Sequence, residues 1–392
     1  MLAGRLVLPD GRIEQGWLEI REGVIQTLEL GSPPASAEVE SFPGHLIGPG
    51  FLDIHVHGGA GGDVMAGTPD ALRELLAFHG GHGTTSLLAT TVAESREAIS
   101  HALRGVRGRM DEQHDVGAAP LPEVLGAHLE GPYLSLARSG GQNAAAIRSP
   151  SIEEFEEWSE LADVRMITIA PEIGGALDFI GWLAEHHPEV VVSAGHTDSG
   201  YRQLLAAAEQ GVTHLTHFMS GMSPFNHREP GAAGAGLMSD RLTLDVIADL
   251  IHMDGDVLRY IVRTRGARNV ALITDAVNFA GLPDGSYDKR GREYVVRDGL
   301  VRLTSNGSLA GSTLTMDRAV ANVVGLGIDI ADAWAMASAV PAELLGVADR
   351  KGRLAVGADA DVVILDESWR VERTLVRGRT VPPLPTPEEG HA

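Results

Sequence analysis

Along the middle of the chain the apolar residues fall into short continuous runs, at 46–57, 84–90, 124–130, 164–170, 190–196, 213–218, 243–252 and 269–275. Between most of them the period changes. Asp70-Ala71-Leu72-Arg73-Glu74-Leu75-Leu76 and Tyr201-Arg202-Gln203-Leu204-Leu205 space their apolar positions three and four apart, as one face of a helix does. Strands that are apolar on both faces and joined by helices form a parallel sheet covered on both sides. Eight such units over about 300 residues fit a (β/α)8, TIM-like barrel. A doubly wound open sheet is the alternative. No glycine-rich dinucleotide fingerprint follows a first strand, however, and Gly58-Gly59-Ala60-Gly61-Gly62 reads as a flexible loop.

The two ends have another texture. Arg5-Leu6-Val7-Leu8 runs into the turn signal Pro9-Asp10-Gly11, and Trp17-Leu18-Glu19-Ile20 and Val24-Ile25-Gln26-Thr27-Leu28 flank Arg21-Glu22-Gly23 as a hairpin does. Ala360–Leu365 and Val371–Val376 read as strands. These short β elements predict a small β-sandwich domain assembled from both termini, residues 1–47 and 346–392, around a barrel at 48–345. The last dozen residues, with four prolines and Glu388-Glu389, read as a tail.

Composition narrows the function. There is no cysteine, which excludes disulfides, thiolate metal sites and a cysteine nucleophile. Lys and Arg number 31 against 53 Asp and Glu, a net charge of −22, which argues against nucleic acid or an anionic membrane as partner. No apolar run approaches the roughly 18 residues of a membrane span. Met1-Leu2-Ala3-Gly4-Arg5 lacks a basic region followed by an apolar one, so no signal peptide and a cytoplasmic location are expected. An anionic substrate must then be held by local positive groups.

Barrel chemistry sits where the strands end at their C-terminal side. His55 and His57 end the first run, Glu130 the third, His196 the fifth, His217 the sixth, His252 the seventh and Asp275 the eighth. Acids and imidazoles in such places are costly unless paired or metal-bound. The His-x-His spacing puts both rings on one strand face. His214 has the opposite parity to His217 and reads as buried support. His128 shares a face with Glu130 but lies deeper, as a supporting group. His79, His82, His101, His114, His186, His187 and His391 fall in helix-like or loop segments, and Asp178, Asp198 and Asp245 read as caps or salt-bridge partners. Imidazole and carboxylate donors without thiolate suit Zn²⁺, or Fe²⁺, Co²⁺ or Mn²⁺. Three protein ligands leave a position for water, whose pKa the metal lowers toward about 7. Asp275 beside that water can take its proton and pass it to a leaving group.

The chain resembles the N-acetylglucosamine-6-phosphate deacetylase branch of the amidohydrolase superfamily. The likeness runs from Pro49-Gly50-Phe51-Leu52-Asp53 to the segment Lys351–Asp361, which the superfamily shares widely. More specific are His128-Leu129-Glu130-Gly131-Pro132-Tyr133, Gly195-His196-Thr197, Arg228-Glu229-Pro230-Gly231, Thr274-Asp275-Ala276 and Leu309-Ala310-Gly311-Ser312. The resemblance implies Glu130, His196 and His217 as metal ligands, Asp275 as acid/base, and a second metal where the first-strand pair is His55 and His57. It implies a sugar phosphate held by Arg228 and His252, one of them donated across a homodimer or larger homo-oligomer. Two places depart from the family. Ser220-Gly221 stands where Asn-Ala is usual, and Ser139-Gly140-Gly141-Gln142 stands where a Lys-Gly-x-His context is usual. The two lysines, Lys289 and Lys351, both lie off the fourth strand, which disfavours subtypes bridged by a carbamylated lysine there.

The reaction implied is hydrolysis of the N-acetyl amide of N-acetylglucosamine 6-phosphate. Gly141, Gln142, Ser220, Gly221, Leu309, Ala310 and Gly311 line the sugar pocket in this reading, and His128 steadies the oxyanion. The rivals are a deacetylase for another acetylated amino-sugar phosphate, such as the galactosamine isomer, and a non-catalytic sugar-binding barrel.

Overall fold

The computed structural model describes residues 1–115 and 117–382. The prolines and glutamates of the expected tail, and His391, lie outside the described residues apart from Val381 and Pro382.

Eight parallel strands form the centre: Phe51–Val56, Thr84–Thr90, Glu123–Glu130, Val164–Ile169, Val191–Ala194, Val212–Leu215, Thr243–Ile247 and Val270–Ile273. Their order follows the chain, and every residue of the first three is buried. That burial on both faces is why these runs carry no polar alternation. The ring is sealed between its first and last strands, where Asp275 N–H donates to the His55 carbonyl (2.9 Å) and His57 N–H to that of Ala276 (2.8 Å). Helices wrap the outside and begin where the sequence signals a start. Thr68 accepts from Ala71 N–H ahead of Pro69–Gly81, and Ser95 from Ala98 N–H ahead of Arg96–Glu112.

The termini build one seven-stranded sheet from Leu2–Val7, Ile13–Arg21, Val24–Leu30, Glu40–Pro49, Val362–Leu365, Val371–Val376 and Arg379–Thr380. The expected hairpin is there. Glu22 and Gly23 both take left-handed conformations (φ 51° and 81°), as a tight two-residue turn with the right twist requires. The sheet wraps back on itself through a bridge from Val24 to Asp359 and encloses its own core of Leu6, Leu18, Ile25, Ile47, Val362 and Ile364.

Two elements differ from expectation. Gly58–Gly59 and Gly62–Asp63 pair as a small buried hairpin, so the glycine stretch is ordered structure instead of a flexible loop. A Cβ at Gly62 would meet the Ala71 carbonyl at 2.2 Å, so close packing selects the glycine. The second is an insert after the eighth strand that the reading of the sequence did not resolve. Gly285–Lys289, Arg292–Arg297, Leu300–Leu303 and Leu309–Ser312 form a four-stranded antiparallel sheet with its own core of Val277, Phe279, Tyr294, Val296, Val301 and Leu303. No helix among the described residues is long and apolar enough to cross a membrane.

Candidate metal centre and its cavity

The strand ends bring two groups of donors together. Glu130, His196 and His217 form one, and His55, His57 and Asp275 the other; within each, the donor atoms lie within 4.8 Å of one another. Glu130 lies between them. Its Oε1 is 2.9 Å from His217 Nε2 and 3.1 Å from His196 Nε2, and its Oε2 is 3.4 Å from His57 Nε2. Asp275 Oδ1 is 3.1 Å from His57 Nε2 and 3.6 Å from His55 Nε2.

The imidazoles are aimed. His196 Nδ1 lies 2.7 Å from the Arg138 carbonyl, His217 Nδ1 3.2 Å from that of Ser220, and His57 Nδ1 3.2 Å from that of Thr90. A carbonyl accepts only, so each Nδ1 carries the proton and each Nε2 lone pair faces the centre. The Nε2 atoms of His196 and His217 are 3.2 Å apart, and those of His55 and His57 3.1 Å. Lone pairs converging in this way call for a shared positive charge. This donor set fits a divalent cation.

The backbone is bent to produce this aim. His196, His217 and Asp275 have φ of 45°, 31° and 49°, a region that side-chain-bearing residues avoid at a cost of order 1–3 kcal/mol each. Buried partners hold the bends. Asp245 accepts the His217 N–H with one oxygen, and its other lies 3.0 Å from His214 Nε2. Asp53 accepts from His55 N–H (3.1 Å) and from the Thr274 hydroxyl (2.5 Å), tying the first strand to the turn before Asp275. Burial pushes Asp53 up to about 6 despite those bonds.

The electrostatics favour positive charge at the centre. Burial opposes charge on His55, but Glu130 and Asp275 outweigh it and lift the imidazole to about 9. Burial likewise works to raise Glu130 and Asp275. The surrounding imidazoles, His55 foremost, hold both carboxyls below their ordinary range.

A cavity of about 390 Å³ opens over the centre, lined by His57, Glu130, His196, His217 and Asp275. Gly141, Gln142, Ser220, Gly221, His252, Leu309, Ala310 and Gly311 line it too. Gln142 is locked in place: its Nε2 donates to Glu130 Oε2 while its Oε1 accepts from Ala93 N–H at 2.8 Å. Gly221 has φ 59°, and a Cβ there would sit 3.1 Å from His196 Nδ1.

Two expectations are corrected. His128 cannot steady an oxyanion. It is fully buried, its Nδ1 lies 3.0 Å from the Ile54 carbonyl and its Nε2 2.7 Å from the Thr168 hydroxyl, so both nitrogens are used inside the barrel. His252 does not end the seventh strand, which stops at Ile247. It sits on the following loop, held by Asp249 Oδ2 at 2.7 Å from its Nδ1. Arg228 is exposed beside His227 and does not line the cavity of its own chain. The sequence reading also missed wall residues, among them Val92, Glu94, Phe279, Lys289, Arg290, Arg292 and Tyr294. The alternation of Arg292, Tyr294 and Val296 between Arg290-Gly291 and Asp298-Gly299 is the signal that marks the insert strand.

A barrel with acid and imidazole donors at its strand ends, a cation-binding centre and an open cavity is a metal-dependent hydrolase architecture. The chain belongs to the amidohydrolase family, which it matches over residues 46–381. It is 36% identical over 383 residues to the N-acetylglucosamine-6-phosphate deacetylase of Bacillus subtilis (strain 168), covering 95% of this chain and 94% of the relative. It is 37% identical over 380 residues to the N-acetylgalactosamine-6-phosphate deacetylase of Escherichia coli O157:H7, covering 96% and 97%. Among solved structures, a mutant N-acetyl-D-glucosamine-6-phosphate deacetylase from Mycobacterium smegmatis, in complex with N-acetyl-D-glucosamine-6-phosphate, superposes with a TM-score of 0.89 at 33% identity. That likeness covers 97% of this chain and 98% of the other.

Proposed function

We propose that this chain hydrolyses the N-acetyl amide of N-acetylglucosamine 6-phosphate, releasing acetate and glucosamine 6-phosphate. The observation that carries it is the convergence of Glu130, His196 and His217 beside Asp275 at the floor of one cavity. Near full-length similarity to deacetylases of amino-sugar phosphates supports it.

Glu130, His196 and His217 would hold the divalent cation, and their imidazole and carboxylate donors suit Zn²⁺. Fe²⁺, Co²⁺ and Mn²⁺ share this donor chemistry. His55, His57 and Asp275 offer a second position, with Glu130 between the two. When bound, the cation lowers the pKa of water and polarises the acyl carbonyl. Asp275 takes the proton from the attacking water and delivers it to the amide nitrogen as the C–N bond breaks. Gln142 orients the acyl group, its amide fixed between Glu130 and Ala93. The backbone at Gly141, Ser220, Gly221 and Leu309–Gly311 shapes the sugar pocket.

His252 faces the phosphate, and Arg228 of a second copy completes the grip with a bidentate guanidinium. Two features support this assembly. Arg228 lies outside its own cavity, and the surface around it and around His252 exposes Phe225, Met238, Leu250, Ile251, Val257 and Tyr260. Exposed apolar side chains in the segments that carry Arg228 and His252 suit a homodimer interface.

The test is a substrate panel. Phosphorylated N-acetylglucosamine is expected to turn over, to stop with chelator and to recover with Zn²⁺. The galactosamine epimer is the second reading, favoured by the Escherichia coli relative, and a higher kcat/KM for that epimer selects it. Metal-independent sugar binding without hydrolysis overturns both. Arg228→Ala is expected to raise KM for the phosphorylated sugar far more than for the free sugar.

A further inference from the structure

One wall of the cavity runs outward from the metal centre to the insert. It leaves the centre at Asp275 and continues through alternate residues, Val277 and Phe279, to Tyr294 on the insert, whose ring is 5.3 Å from that of Phe279. Beyond this apolar stretch come cations. Lys289 Nζ lies 5.8 Å from the centre of the Phe279 ring, and the Arg292 guanidinium 5.8 Å from that of Tyr294. Lys289 and Arg290 share Asp63, at 2.8 and 2.9 Å. Glu94, which also lines the cavity, is engaged by Asn143 at 3.3 Å. Arg292 is half-buried and, among the described residues, forms no salt bridge. Asp63 and Glu94 belong to the segments after the first and second strands, two and three places round the ring from the seventh strand, which His252 follows.

A half-buried guanidinium without a counter-ion, in a chain of charge −22, is a binding group awaiting an anion. The apolar stretch before it matches methylene groups. Resting on the amide hydrolysis proposed above, we propose that the cavity also takes amino-sugar phosphates whose N-acyl group is longer than acetyl and ends in a carboxylate. Arg292 pairs with that carboxylate and is a specificity-determining residue; Lys289 adds to the positive field. The chemistry is unchanged. Water supplies a hydroxyl to the acyl carbon, the C–N bond breaks, and the proton left over goes to the amine nitrogen. The products are a dicarboxylate and the amino-sugar phosphate, and no oxidant, reductant or co-substrate is consumed.

The experiment compares N-acetyl-, N-butyryl- and N-succinyl-glucosamine 6-phosphate. Butyryl and succinyl have equal chain lengths and differ in the terminal carboxylate, so their ratio isolates its charge. The expected kcat/KM for succinyl exceeds that for butyryl by about tenfold or more, the size of one charge-assisted hydrogen bond. Arg292→Gln collapses that ratio toward one, and Arg292→Lys recovers part of it. The inference is overturned if butyryl is the better substrate, or if the ratio survives in Arg292→Gln. It is overturned equally if Arg292→Gln raises KM for every phosphorylated sugar and for none without phosphate, because the guanidinium then reads the phosphate. Hydrolysis of acetyl without succinyl sinks this inference alone. Hydrolysis of none of the three sinks the amide hydrolysis on which it rests.

Discussion

An imidazole offers a metal one lone pair, and the partner of its other nitrogen decides which. Three peptide carbonyls, those of Arg138, Ser220 and Thr90, make that decision for His196, His217 and His57. These contacts were invisible in the sequence, because a backbone carbonyl has no residue type. What was legible was the position of each donor of the metal centre at a strand end, where an ionisable group among apolar neighbours needs a reason. Parity also placed His214 on the side away from His217. Parity and chain order set His128 on the Glu130 face and deeper, without showing that both its nitrogens are engaged by Ile54 and Thr168. Two expectations follow at this scale. Asp275→Asn removes the carboxylate proposed to carry the proton and leaves Glu130, His196 and His217 intact. Turnover should fall by about 10²–10⁴-fold while one equivalent of metal is retained, as elemental analysis would show. Activity near that of the parent would take the proton from Asp275. Asp245→Ala frees the His217 backbone and the His214 ring together. Its metal affinity, measured by calorimetry, should fall about 10–100-fold.

The insert sheet is the element that most shapes the cavity and that the sequence reading passed over. Its strands are short, at four to six residues, and their charged alternate positions break any apolar run. The barrel strands were legible for the opposite reason: burial on both faces makes them continuous. Turn chemistry marks the insert all the same, since Arg290 and Asp298 both take left-handed φ next to a glycine. One anchor fastens it over the site. Asp63, on the glycine hairpin after His57, receives Lys289 and Arg290, and those cations hold its carboxyl below its usual range despite burial. Asp63→Ala should loosen the insert and carry Leu309–Gly311 with it. KM should rise about tenfold, the scale of one charge-assisted bond, with a smaller change in kcat and new tryptic cleavage at Arg290 or Arg292. Unchanged KM with unchanged cleavage would show that the insert's own core holds it in place.

At the scale of the whole molecule, one strand links the catalytic end to the joint with the terminal sheet. Glu130 ends the third barrel strand, and Glu123 begins it. Glu123 is 2.6 Å from both Arg350 and Lys351, and Lys351 also lies 2.6 Å from Asp361 and 3.0 Å from Asp359, at the entry to the terminal sheet. In the sequence the segment Lys351–Asp361 is only a mark shared across a superfamily. Its physical reason needs Glu123, more than two hundred residues away. Burial would raise the Glu123 carboxyl, but Arg350 and Lys351 overcome it and bring it down to about 2, against 4.5 in the free side chain. The sign follows. The folded chain keeps Glu123 ionised where the unfolded chain takes up a proton, so this stabilisation is complete above about 4.5 and is lost as the pH falls toward 2. Lys351 is raised, its carboxylates outweighing burial, so its share persists through neutral pH and fades only on the alkaline side. Asp361 runs the other way: burial outweighs Lys351 and raises it, which softens the acid loss. Glu123→Gln separates these contributions. It leaves Lys351 with Asp359 and Asp361 but strips the barrel's half of the joint. Urea unfolding at pH 7 should show a loss of about 3 kcal/mol, the lower end for breaking a buried pair. Between pH 4.5 and 2 the variant should lose less stability than the parent. Equal slopes in the two proteins would place the acid sensitivity elsewhere and leave the joint a matter of packing.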